Sequence, residues 1–197
     1  YSGLYGYGDP AAGAKEPAGT LVLVKMDGST YRFWLDITRG GPGFEKGETD
    51  GTFTITHDTA FFDNTFENAV SSCILKFSFT GNSILVSHGG SAADCGFDNG
   101  VNAGGTYTRL EKQGQLSNDW LKQQYPAAPK FTILAAKTEL YRDENGLVSF
   151  QKKQFLDQGG VYLNITETEK TVYTEFIGPG GDFRYGWVRK TAIKIRN

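Results

Sequence analysis

An all-β fold follows from three features of this sequence. Residues 30–38 alternate, with Tyr31, Phe33, Leu35 and Ile37 set against Arg32, Trp34, Asp36 and Thr38. That is the period-2 pattern of a strand with one buried face. Residues 72–79 repeat it, placing Cys73, Leu75, Phe77 and Phe79 on one side. The third feature is a supply of 14 Phe, 10 Tyr and 26 Gly against one Met, which favours strands and tight turns over helices.

Each element can be justified in chain order. Residues 20–26 form an apolar strand, and Asp27-Gly28 is a hairpin turn leading into 30–38. Residues 40–47, with Pro42, read as a flexible loop. A strand over 51–56 carries Phe53 and Ile55 on one face, and 60–62 is a shorter candidate. Gly81-Asn82 turns the strand at 72–79 back into Ile84, Leu85 and Val86. A Gly/Ser/Ala/Asp loop over 88–94 follows, and 105–110 closes the series. The opening segment 3–7 resembles that closing strand in composition. Pairing the two would curl the meander into a small barrel and remove its edges.

The pattern breaks over 111–130. Ser117 can cap a short helix over 118–124, ended before Pro126, and residues 127–129 read as a hinge. Strands resume at 131–134, 138–141, 161–165, 171–177, 183–188 and 192–195, which suits a second compact barrel. The expected organisation is therefore a β-domain over 1–112, a linker with a short helix over 113–130, and a second domain over 131–197. Charge divides at the same place. Residues 1–112 hold 8 Lys+Arg against 13 Asp+Glu, and 113–197 hold 12 against 9, so the two halves suit different partners.

Several function classes lose support. Hydrophobic residues make up 39% of the chain, too many for disorder. No apolar run approaches the roughly 20 residues of a membrane-spanning helix. The basic excess of the rear half is too small and too mixed with acids for a nucleic-acid footprint. A start at Tyr1 fits a mature chain after signal removal and fits a trimmed one equally.

Cys73 and Cys95 are the only cysteines. They bracket a hairpin, so a disulfide between them is expected, with a pair of reduced buried thiols as the alternative. A bridge places the protein in an oxidising compartment, periplasmic or secreted.

Candidate chemistry is sparse. His57 reads as a surface residue, and His88 as a loop histidine near Ser87 and Ser91 with little to aim it at a nucleophile. No metal-ligand spacing of His and Cys occurs. Glu48/Asp50 and Glu167/Glu169 are carboxylate pairs in polar, turn-like stretches, better read as solvated charge than as acid/base pairs. Residues 143–146 begin like a calcium loop but lack its later Glu, so a turn is expected. The glycine clusters at 40–43 and 178–181 lack the Lys-Ser/Thr of a phosphate loop. No cofactor is expected.

The rear segment carries a more specific set of residues. Thr138-Glu-Leu140-Tyr141, the Gly159-Gly160 step, Tyr173, and Tyr185-Gly186-Trp187-Val188 followed by Ile193 resemble a bacterial SH3-like domain. The resemblance covers about a third of the chain. It implies a non-catalytic module that binds protein or cell-wall peptide. Tyr141, Tyr173, Tyr185 and Trp187 would be the ligand contacts, against the alternative that these aromatics fill the core. The front segment, through its Cys73–Phe79 strand, Cys95-Gly96-Phe97 and Gly105-Thr-Tyr107, is similar to a small β-domain of exported bacterial proteins, some of them lysozyme-inhibitor-like. The expected function is a non-enzymatic cell-envelope binding protein. The alternative is an inhibitor or immunity protein against a secreted cell-wall hydrolase. There the acidic front domain docks by charge, using the loops at 88–94 or 40–50. A hydrolase with a site between the domains is the third option.

Overall fold

The computed structural model describes residues 1–8, 17–40, 45–65, 72–112 and 116–196. The chain is all-β and divides into two compact units, Tyr1–Leu110 and Glu111–Asn197. Among the described residues no helix is long and apolar enough to cross a membrane.

The first unit is built from β1 (Gly3–Tyr7), β2 (Ala18–Asp27), β3 (Thr30–Arg39), β4 (Glu45–Thr54), β5 (Thr59–Asp63), β6 (Ile74–Thr80), β7 (Ser83–His88) and β8 (Gly105–Leu110). These form one antiparallel sheet in the order β4-β3-β2-β1-β8-β7-β6-β5. The first strand pairs with the last, Leu4 opposite Leu110 and Gly6 opposite Thr108, so the sheet curls into a nearly closed barrel. Its remaining seam lies between β4 and β5, which are consecutive in the chain. They are joined by a two-residue turn in which His57 and Asp58 take φ of 47° and 56°. Thr56 and Thr59 exchange backbone hydrogen bonds of 2.8 and 3.1 Å across it. Positive φ at both central residues is the turn geometry that matches strand twist.

The barrel interior is a packed core. Phe33 lies 5.4, 5.0 and 5.2 Å, centroid to centroid, from Phe53, Phe62 and Phe77. Leu21, Leu23, Leu75, Ile84, Val86 and Tyr107 complete it. Every residue of the alternating sets 31/33/35/37 and 73/75/77/79 is buried, as their spacing requires.

The strand β4 differs from the sequence reading. It runs from Glu45 to Thr54, so 45–47 are not loop and Glu48 and Asp50 do not sit in a turn. Residues 41–44, the rest of that expected loop, lie outside the described residues. The physical reason is volume. The inward positions of β4 include Gly47 and Gly51, and aromatic groups from elsewhere fill the space they leave. A Cβ at Gly51 would stand 2.3 Å from Cε2 of Phe62, and one at Gly47 would stand 2.7 Å from Cγ of Phe97. An apolar alternation is therefore missing from the sequence although the strand is present.

Cys73 and Cys95 form a disulfide with Cα atoms 4.4 Å apart. It ties the start of β6 to a short 3-10 turn, Ala92–Cys95, whose Ser91 and Asp94 make a reciprocal capping box. Beyond the bridge the chain crosses back to β4. Asp98 takes the Lys46 amide at 2.7 Å and donates its own amide to the Lys46 carbonyl at 2.9 Å. Phe97, Val101 and Ala103 are thereby sunk into the barrel core.

In the second unit, α1 (Asn118–Gln123) begins at Ser117, whose hydroxyl accepts the Trp120 amide at 3.2 Å, and buries Leu121. The strands are β9 (Lys130–Ile133), β10 (Thr138–Glu139), β11 (Phe155–Leu156), β12 (Val161–Leu163), β13 (Thr166–Glu167), β14 (Thr171–Ile177), β15 (Phe183–Arg189) and β16 (Ile193–Arg196). They make two three-stranded antiparallel sheets, β12-β9-β16 and β13-β14-β15, and the pair β10-β11. A 3-10 turn, Lys190–Ala192, separates β15 from β16. Phe131, Ile133, Leu140, Leu156, Val172, Phe176, Val188 and Ile193 meet in one core.

Candidate functional site

The hairpin of β14 and β15 positions the aromatic residues singled out from the sequence. Its register pairs Tyr173 with Trp187 and Glu175 with Tyr185. Strand alternation puts these four on the face opposite Val172, Phe176 and Val188, which belong to the core. Tyr141 joins them from the neighbouring segment. Its amide and carbonyl both bond to the Trp187 backbone, each at 2.9 Å. Gly186 makes that approach feasible, because a Cβ there would stand 3.0 Å from the Tyr141 carbonyl oxygen and 3.1 Å from the Phe150 ring.

The four side chains are not equivalent. Tyr185 is 47% exposed and meets Phe150 edge-on at 6.1 Å. Tyr141, Tyr173 and Trp187 are half-buried. Trp187 packs on Tyr173 with ring centroids 5.3 Å apart. Arg189 stacks its guanidinium 4.6 Å from the Tyr141 ring centroid, and Nε and Nη2 donate to the Gly146 carbonyl at 3.0 and 2.6 Å. Such a stacked cation adds roughly 0.5–1 kcal/mol at an exposed site.

Residues 143–146 form the expected turn. The Asp143 carboxylate accepts the amides of Val148, Leu147 and Asn145. Those backbone donors, Val148 first, hold its pKa below the usual carboxylate range. With both oxygens engaged inside the turn, the carboxylate serves the fold. Leu147 and Val148, 74% and 49% exposed, stand at its tip.

The structure also places the other candidates. His88 ends β7 with its ring edge-on to Phe97 at 5.8 Å, and neither ring nitrogen is hydrogen-bonded among the described residues. Burial lowers its pKa, and Asp94 partly opposes that shift. Asp50 pairs with Arg32 at 2.9 Å. Glu48 faces Asp36 across β3 and β4, and burial followed by the Glu48 charge raises the Asp36 pKa. Glu167 pairs with Lys190 at 3.3 Å. Among the described residues no three His, Cys, Asp or Glu side chains cluster as metal ligands.

Two features escaped the sequence reading. Glu175 is fully buried and accepts a 2.8 Å hydrogen bond from the Tyr173 hydroxyl. Its alternate position in β14 could have marked it, but a lone Glu among strand residues normally signals solvent. The second is a pair of adjoining hollows that share Phe155 and Arg184, with volumes of about 440 and 350 Å3. Nothing local in the sequence relates residues 152–155 to 182–184. No family model matches this chain, and no curated protein or solved structure matches it either.

Proposed function

We propose that this is a non-enzymatic binding protein of an oxidising, extracytoplasmic compartment, periplasmic or secreted, that recognises a protein or cell-wall peptide through its second unit. The carrying observation is that Tyr141, Tyr173, Tyr185 and Trp187 share one sheet face with Arg189, and that Tyr185 is open to solvent. An exposed tyrosine such as Tyr185 buries ring area on contact while its hydroxyl stays hydrated, and aromatic residues dominate contact energetics in peptide grooves. The resemblance to an SH3-like domain supports the same reading. The Cys73–Cys95 bridge supports the compartment.

The test is photo-crosslinking from position 185. A benzophenone amino acid replacing Tyr185 should capture a discrete envelope partner. Tyr141→Ala in the same background should reduce capture severalfold. Unchanged capture with Tyr141→Ala, or capture equal to that from a probe at exposed Leu85 of the first unit, would reject this face as the contact surface.

A second reading, inhibition of a secreted cell-wall hydrolase by the acidic first unit, rests on the segment 89–94. It is largely exposed, yet held by the Ser91/Asp94 capping box and the adjacent disulfide. A preorganised loop loses little freedom on docking. Slowed cell-wall lysis that disappears on replacing Ser91 and Asp94 with Ala would favour it over the first.

A further inference from the structure

Resting on the binding-module reading, we infer that the hollow between residues 152–155 and 182–184 is a subsite for a peptide carrying a free carboxylate beside an apolar side chain. Its volume of about 440 Å3 lies within the roughly 300–1,000 Å3 of small-ligand clefts. Three cations, Lys152, Lys153 and Arg184, line it against one acid, Asp182. Lys153 is tied to Glu139 at 3.2 Å. Lys152 makes no ion pair among the described residues.

Arg184 is aimed by its neighbours. Its Nε donates to Asp182 at 2.5 Å, while Nη1 and Nη2 make no hydrogen bond among the described residues. Gly178 leaves the room for this pair, since a Cβ there would stand 2.6 Å from Asp182 Oδ1 and 3.1 Å from Arg184 Nε. A guanidinium fixed at Nε with both terminal nitrogens open presents a planar donor edge to a carboxylate. The Gln154 side-chain oxygen, in the same wall, is buried without a hydrogen-bond partner among the described residues. Phe155, 42% exposed, and Phe183 supply the apolar wall.

These groups define the ligand. The carboxylate lies at Lys152 and Arg184, and an apolar side chain covers Phe155. The chain continues over Phe155 into the adjoining hollow of about 350 Å3, past Tyr162 and Pro179. Asp157 there accommodates an amine, while Asp119 is already paired with Lys122 at 2.7 Å.

Titration of the isotope-labelled full chain with N-acetyl-alanyl-phenylalanine and with its C-terminal amide tests this by NMR. The carboxylate form should shift the amides of 152–155 and 183–184 and bind at least fivefold tighter than the amide. Lys152→Glu, at an exposed position, should abolish that preference while its spectrum stays dispersed. Equal binding of the two forms, absence of binding by either, or shifts confined to Tyr141, Tyr185 and Trp187 would overturn the subsite. The last outcome leaves the aromatic face standing, and the crosslink from position 185 judges that face independently.

Discussion

At the residue scale, the face of β15 shows how one strand serves two purposes. Val188 points into the core and its neighbour Trp187 does not, so truncating Trp187 removes a half-buried ring against Tyr173 instead of a core plug. Trp187→Ala should cost about 2 kcal/mol in chemical denaturation, half of the roughly 4 kcal/mol of a fully buried aromatic. Tyr185→Ala should move stability by less than about 0.5 kcal/mol. If Tyr185 touches the partner, the same change should weaken binding by about 1–2 kcal/mol. His88 makes a pH prediction whose sign is fixed by burial. Its folded pKa lies below its ordinary value, so the unfolded chain takes up the proton first as pH falls. Stability should drop on acidification below about pH 6.5. Denaturation at pH 7.5 and 5.5 should show a smaller drop for His88→Gln than for the parent.

At the scale of elements, the disulfide and the segment after it hold one region of the barrel together. The bridge closes a loop with a sequence separation of 22 residues, for which chain-entropy arguments give about 3 kcal/mol. The double variant Cys73→Ala, Cys95→Ala should lose stability of that order. Amide exchange should rise most over 96–103, because Phe97, Val101 and Ala103 enter the core from a segment with no strand pairing of its own. The inward glycines of β4 predict the opposite kind of damage. Gly51→Val puts a branched side chain where the Phe62 ring already lies, and overpacking of this kind costs about 1–3 kcal/mol. A Gly51→Val protein as stable as the parent in urea would show that Phe62 can move aside.

At the scale of the whole molecule, two units each gather a core of their own. Residues 1–110 and 111–197 expressed separately should both fold cooperatively, with the first retaining its disulfide and the second retaining α1 with Leu121 buried. Far-ultraviolet dichroism and thermal melts of the two pieces check this. Loss of structure in either piece would mean that the chain has a single cooperative core.

The period-2 strands at 31–37 and 73–79, the helix cap at Ser117, the hairpin at Asp27-Gly28 and the turn at 143–146 were legible in the sequence. In each, the determining contacts lie within one strand face or one turn, so residue spacing carries the information. The cysteine pair was legible because no other pairing exists in the chain. The extent of β4 was not, because its inward positions are small and the matching volume comes from Phe62 and from Phe97 some fifty residues away. The seam between β4 and β5, the crossing of Tyr141 over Gly186, the burial of Glu175 and the convergence of Lys152 and Arg184 were equally out of reach. Strand spacing says which face a residue takes, and long-range packing says what that face meets. The aromatic residues of the candidate face could therefore be picked from the sequence, while their shared face and the basic hollow arise from contacts between segments that share no local pattern.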